Sequence, residues 1–161
     1  MSSPTRPEPK PRVERGGNRR ICVDSSVALK LVLDEEDSDK AHALWASWVA
    51  EDFEIIAPCH LAFEVTSVIR NHVYRGEISA EAGQVAFEAI HAQGIKLVHP
   101  DTLHERAWEL AQQFNRPTAY DTYYLALGEI TGCDVWTADR RLYNAVRDTL
   151  KWVKWLGNYT P

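Results

Sequence analysis

From residue 20 onward, the apolar positions of this chain switch period repeatedly. Short, nearly continuous apolar runs centre on residues 20–24, 54–58, 95–99 and 134–137, and between them apolar residues recur every three or four positions. Short runs without polar alternation read as strands buried on both faces, and the wider spacing reads as one face of a helix. Helices are expected at 27–33, 38–50, 59–75, 79–93, from 103 to 114, at 119–130 and at 140–147. Ala41, Leu44, Trp45, Trp48 and Val49 share a face in the second of these, Ala82, Val85, Ala86, Ala89 and Ile90 in the fourth, and Leu103, Ala107, Leu110, Ala111 and Phe114 in the fifth. The punctuation agrees. Pro58 stops a strand, Gly76, Gly94 and Gly132 close helices, and Asn115-Arg116-Pro117 breaks another. A last strand-like segment covers 152–156. Strands of this kind alternating with helices imply a three-layer α/β/α fold around a mainly parallel sheet of about five short strands. No internal repeat interrupts the pattern.

A chain of 161 residues, 45% hydrophobic and 25% charged, suffices for one domain with a real core. Residues 19–161 are assigned to that domain. Residues 1–20 carry six basic and two acidic residues, +4, which leaves −9 for the remainder of a chain whose total is −5. With four prolines among the first 11 residues and almost no apolar content, residues 1–18 read as a flexible basic extension. A grazing contact with nucleic-acid phosphates is the alternative, and no specific role is assigned to it. No run approaches the roughly 18 to 20 apolar residues of a membrane span, and the start lacks the apolar stretch of a secretory signal. A cytoplasmic location follows as an expectation. Cys22, Cys59 and Cys133 are odd in number, far apart and set among apolar neighbours, so they read as small core residues. The six histidines show no metal-binding spacing, and zinc is not expected.

Four acidic residues stand where a carboxylate is awkward. Asp24 ends the first apolar run, Glu64 lies on an apolar helix face, Asp121 opens an apolar helix, and Asp139 follows the apolar run at 135–138. In open α/β sheets ligands sit beyond the carboxyl ends of the strands, where Asp24 and Asp139 would project. Each aspartate also has a purely structural reading. Asp24 and Asp139 can cap the helices that follow them, and Thr118-Ala-Tyr-Asp121 fits the spacing of a capping box. Glu64 is harder to explain in that way, because Leu61, Val65, Val68 and His72 lie beside it and make it part of the buried stripe of its helix. Arg70, six positions on, faces elsewhere, so the local sequence supplies no obvious cation. An unpartnered buried carboxylate costs several kcal/mol. Carboxylates about 4 Å apart repel by roughly 4 kcal/mol at an effective dielectric of 20. A shared pocket would therefore need protons or a counter-cation, and with no thiol or histidine expected among the four acids, Mg²⁺ or Mn²⁺ is the natural occupant.

The run Ile-Cys-Val-Asp-Ser-Ser-Val-Ala-Leu-Lys at 21–30, Glu64 within Phe-Glu-Val-Thr-Ser-Val-Ile-Arg-Asn, Asp121 within Ala-Tyr-Asp-Thr-Tyr-Tyr-Leu-Ala-Leu-Gly and Asp139 within Trp-Thr-Ala-Asp-Arg-Arg-Leu together resemble the PIN-domain ribonucleases. Within them the chain is most similar to the VapC-type toxins of bacterial toxin–antitoxin pairs. The resemblance spans about residues 20–157, with the motifs in order; any one alone would be weak. It implies a PIN-like fold in which Asp24, Glu64, Asp121 and Asp139 hold one or two Mg²⁺ or Mn²⁺ ions and catalyse RNA phosphodiester hydrolysis. It also implies supporting hydrogen bonds from Thr137 and Ser25, for which cap duty is an equal explanation, a homodimer, and a cognate antitoxin covering the groove. The extension at 1–18 is a departure, since family members begin close to the first strand.

Phosphodiester hydrolysis needs an activated water, shielding of the phosphate and stabilisation of the leaving oxygen, all within the reach of a bound metal. Without metal the acidic cluster would repel RNA. Candidate phosphate contacts are Lys30, Arg116, Arg140 and Arg141, each of which also reads as solvated helix surface. Trp45, Trp48, Trp152 and Trp155 read as core or interface residues rather than base platforms. The apolar faces at 41–49 and 61–73 are candidate contact surfaces for partners, in part needed for the core. A non-catalytic PIN-like module that binds RNA or protein is the alternative to a nuclease. A phosphoacceptor receiver or aspartate-based phosphatase fits poorly, because Ser25-Ser26 stand where those need further acids.

Overall fold

The structure, a computed structural model, describes residues 19–161. Its five strands are β1 (Arg20–Val23), β2 (Glu54–Pro58), β3 (Lys96–Val98), β4 (Asp134–Thr137) and β5 (Val153–Trp155), all parallel and in the order β3-β2-β1-β4-β5. The helices are α1 (Ser25–Leu29), α2 (Ser38–Ala50), α3 (Leu61–Tyr74), α4 (Ala80–His91), α5 (Leu103–Gln113), α6 (Tyr120–Thr131) and α7 (Arg140–Val146). They flank the sheet as the α/β/α reading expected, and the sheet is wholly parallel. The extension at 1–18 lies outside the described residues.

The central strand decides where a site can form. In β1, Cys22 pairs in register with Ile56 of β2 on one side and Val135 of β4 on the other, and all three are fully buried. The chain leaves β1 toward β2 and β3, then returns to β1's other side for β4 and β5. That reversal falls at the carboxyl ends of β1 and β4, the usual place for a ligand in such sheets. α6 supplies much of the underlying core: Tyr124, Leu125, Ala126 and Leu127 are fully buried, and the helix packs against β1, β2 and β4. Gly128 permits this contact, because a Cβ there would meet Val135 Cγ2 at 2.2 Å.

Several expectations need correction. α1 stops at Leu29, and residues 30–33 continue as a tighter turn in which Lys30, Leu31 and Val32 donate to carbonyls three residues back. The buried face of α4 is narrower than its apolar pattern: Gly83, Ala86 and Ile90 are buried, while Ala82 is exposed and Val85 is 67% exposed. Gly83 sets this rotation, since a Cβ would meet Val73 Cγ2 of α3 at 2.2 Å. Cys59 is exposed at the turn after β2 and is not a core residue, unlike Cys22 and Cys133. The face at 41–49 is core and leaves little for a partner: Ala41, Leu44, Trp45 and Trp48 are buried and only Val49 protrudes. On α3, Leu61, Val65 and Ile69 are likewise buried, with Phe63 exposed. Among the described residues, no helix is long and apolar enough to cross a membrane.

Candidate active site

Asp24 lies at the sheet's reversal point, immediately after β1, and is 4% exposed. It is the N-cap of α1, but the cap bond from Ser26 N–H to Oδ1 is long at 3.5 Å. Hydroxyls hold it better: Thr137 Oγ1 donates to Oδ2 at 2.7 Å, Ser26 Oγ to Oδ2 at 3.1 Å and Ser25 Oγ to Oδ1 at 3.2 Å. Its own N–H donates to Trp136 O at 3.0 Å, so the chain ends of β1 and β4 are fastened there. Burial pushes the Asp24 carboxyl up to about 6; the Thr137 hydroxyl pulls the other way, and the charges of Asp121 and Glu64 add to the rise.

Glu64 reaches the same place from α3. Its Oε2 accepts from Ser25 Oγ at 2.9 Å, so one hydroxyl bridges Asp24 and Glu64. Its Oε1 lies 2.8 Å from His60 Nε2 and accepts from Tyr124 Oη at 3.0 Å. Burial, the largest influence, raises the Glu64 carboxyl, but bonds from His60, Ser25 and Tyr124 together outweigh it and leave the group below the usual glutamate range. Burial, with the Asp24 and Glu64 charges behind it, raises the Tyr124 phenol far above its ordinary value and keeps it a donor. The expectation that no histidine stands among the acids is thus corrected, because His60, one turn before Glu64, is the partner the sequence had not supplied.

Asp121 is not the acid of a capping box. The N-cap of α6 is Ala119, with no side-chain cap, and Asp121 Oδ2 instead meets Arg116 Nη2 at 3.4 Å. Burial raises its carboxyl, the neighbouring Asp139 charge adds to that, and Arg116 opposes them. Asp139 does cap α7: its Oδ1 accepts from Arg141 N–H at 2.9 Å and Leu142 N–H at 3.2 Å, while its own N–H donates to Thr137 Oγ1 at 3.0 Å. Cap and site roles are therefore compatible in Asp24 and Asp139, since a carboxylate has more lone pairs than the cap uses. The four acids form one electrostatic set, with Asp24 sensing Glu64 and Asp121, and Asp121 sensing Asp139 and Glu64.

Among the described residues, no three acidic, histidine or cysteine side chains lie close enough to grip an ion as they stand. The chemistry of the set nevertheless fits a hard divalent cation. All four donors are carboxylate oxygens, and Asp24 is buried among three hydroxyls and one long backbone N–H bond with no cationic partner among the described residues, its charge opposed by two further acids.

The basic candidates separate. Lys30 Nζ is committed to Glu35 Oε2 at 3.3 Å and Glu36 O at 2.7 Å, and Arg116 to Asp121. Arg140 rests over the Trp155 ring at 5.3 Å. Arg141 is exposed, with no ion pair among the described residues. Sequence reasoning missed Ser26, His60 and Tyr124. The spacing of His60 four residues before Glu64 was a usable signal; nothing in the pattern of α6 marks the Tyr124 hydroxyl.

Comparison with known proteins adds an independent line. The family model of the PIN domain matches residues 21–148. The VapC ribonuclease Mb0985 of Mycobacterium bovis is 30% identical over 122 residues, covering 76% of this chain and 87% of the relative. Ribonuclease VapC9 of Mycobacterium tuberculosis matches with the same figures. In fold, the chain is similar to PAE2754 from Pyrobaculum aerophilum, with a TM-score of 0.60 at 19% identity over 79% of this chain and 84% of that one. It is also similar to the Mycobacterium tuberculosis sarcin-ricin loop cleaving toxin VapC20, with a TM-score of 0.57 at 21% identity over 78% and 95% of the two chains.

Proposed function

The chain belongs to the PIN-domain family, alongside the VapC ribonucleases, and from that premise we propose that it is a Mg²⁺- or Mn²⁺-dependent endoribonuclease, the toxin of a toxin–antitoxin pair. The observation that carries this reading is Asp24: a buried carboxylate at the sheet's reversal point, surrounded by hydroxyls and by other acids, with its carboxyl pushed up to about 6 by burial. Such a group needs a proton or a cation, and a cation held among the four acids would meet that need.

Asp24, Glu64, Asp121 and Asp139 are the residues that would hold one or two ions. A divalent cation bound among them would supply Lewis-acid shielding of a phosphoryl oxygen and a lower pKa for the attacking water. The protein's own part is placement. Thr137 and Ser26 fix Asp24, Ser25 ties Asp24 to Glu64, and Tyr124 holds Glu64 from beneath. Asp121, half-buried and raised by burial, is the acid best suited to orient a water and accept its proton. Arg141, exposed at the start of α7, is the strongest candidate for a backbone phosphate contact. We further propose cytoplasmic action, a homodimer, and an antitoxin whose basic group satisfies the acids when RNA is absent.

Purified protein incubated with a mixed pool of structured and single-stranded RNAs, with Mg²⁺, Mn²⁺ or EDTA, tests the proposal. Cation-dependent cleavage missing from Asp24→Asn is expected. Folded, antitoxin-free protein that cleaves no RNA would leave a non-catalytic binding module.

A further inference from the structure

His60 touches two elements of the site at one atom. Its Nε2 lies 2.8 Å from Glu64 Oε1 and 3.1 Å from the backbone carbonyl of Tyr120. Both neighbours are acceptors, so Nε2 carries the hydrogen and shares it between them. The ring is wedged among α6 tyrosines, with centroids 4.9 Å from Tyr124, 5.2 Å from Tyr123 and 6.2 Å from Tyr120. Tyr120 immediately precedes Asp121, and the Tyr124 hydroxyl donates to the same Glu64 oxygen as His60.

We propose that His60 is a positioning residue: it aims the Glu64 carboxylate and clamps it to the first turn of α6, so that Glu64 of α3 and Asp121 of α6 keep a fixed separation. The inference rests on the metal-dependent reading above and assigns this chain a determinant of ion affinity outside the four acids. Ser25 fixes only Glu64 Oε2, and Tyr124 is held deep in the core. Tyr124 ties Glu64 to α6 one turn further along, whereas His60 joins Glu64 to the Tyr120 carbonyl, at the residue that immediately precedes Asp121. Partners that orient metal-binding carboxylates are worth about 10- to 100-fold in metal affinity.

The test measures Mn²⁺ binding by calorimetry and the Mn²⁺ concentration that half-activates RNA cleavage. It compares the full-length protein with His60→Gln, which keeps a donor, His60→Phe, which keeps a ring, and His60→Leu, which keeps neither. Expected are near-normal Mn²⁺ binding in His60→Gln and a 10- to 100-fold loss in His60→Phe and His60→Leu. The KM for RNA at saturating Mn²⁺ should stay unchanged. Should His60→Phe fail to give a cooperative melt, His60→Leu answers the same question. Binding as tight as the parent's in either donor-less variant, or a His60→Gln as weak as they are, would overturn the proposal. Parent protein that neither binds Mn²⁺ nor cleaves RNA would overturn the metal reading itself, a failure visible without any variant.

Discussion

Thr137 Oγ1 donates to Asp24 Oδ2 across 2.7 Å, joining the carboxyl ends of the neighbouring strands β4 and β1 through a hydroxyl that is fully buried. The same oxygen accepts from Asp139 N–H at 3.0 Å, so Thr137 also settles the start of α7. One side chain thereby sets the relative position of two candidate metal-binding acids.

Replacing Thr137 by valine keeps the shape and removes both bonds. A hydrogen bond to a charged group contributes about 1.5 to 3 kcal/mol, and a buried N–H left unpaired adds to the loss. Thr137→Val should lose about 2 kcal/mol of stability in urea melts at pH 7, and its affinity for Mn²⁺ should fall about 10-fold. Thr137→Ser, which retains the hydroxyl, should bind Mn²⁺ within about 3-fold of the parent; a Thr137→Val that binds Mn²⁺ as tightly as the parent would remove the hydroxyl from ion binding.

Asp24 makes the metal-free protein less stable as pH rises. Its folded carboxyl titrates near 6 against an ordinary 3.8 because burial disfavours the charge. The contribution favours folding below the ordinary value and is lost as pH climbs through 6. Two units at about 1.4 kcal/mol each, and a little more, give a cost of about 3 kcal/mol at pH 8. Glu64, held below its ordinary value, acts in the opposite sense and loses stability only on the acid side. In EDTA, Asp24→Asn should therefore be more stable than the parent at pH 8 by up to about 3 kcal/mol, with the gap closing by pH 4. Excess Mg²⁺ should stabilise the parent and not the variant. A gap independent of pH would dissociate the effect from this carboxylate.

Gly128 governs how closely α6 lies on β4. A methyl group there would meet Val135 Cγ2 at 2.2 Å, Cys133 O at 3.1 Å and Trp152 Cδ1 at 3.3 Å, and the carbonyl belongs to the backbone. Gly128→Ala should cost about 1 to 3 kcal/mol through overpacking, despite alanine's better helix propensity. Thermal melts compared with Gly94→Ala, where no heavy atom lies within 4 Å of the added Cβ and the positive φ of 73° is the only penalty, separate crowding from backbone strain.

Strand and helix periods were legible because each β-strand is short and apolar and each helix shows a stripe, and the four acids stood out for the same reason: they interrupt those patterns. What escaped the sequence is rotation and partnership. The α4 stripe misled because Gly83 against Val73 turns Ala82 and Val85 to solvent. The face at 41–49 looked available because nothing in the chain shows that Trp48 packs edge-on to Trp136, at 6.1 Å. Asp121 looked like a helix cap until Arg116, held in place by the left-handed turn at Asn115, met it from the preceding loop. Tyr124 sits in an apolar helix and contributes a hydroxyl whose direction only packing decides.

The basic residues at the rim should differ in a way charge alone does not foresee. Lys30 is tied to Glu35 and to the Glu36 carbonyl, so Lys30→Ala should change RNA binding little. Arg140 stacks on Trp155, so its loss combines a missing charge with a missing contact. Arg141 is exposed at the N-terminal turn of α7, beside Asp139, with no ion pair among the described residues to hold it back from a phosphate. If it meets the RNA backbone, Arg141→Ala should raise KM for RNA several-fold without changing kcat. It should also reduce the slope of log affinity against log salt by about 1. The loss should be equal for RNAs of different sequence, because a phosphate contact carries no base information. An unchanged salt slope would remove Arg141 from the substrate path.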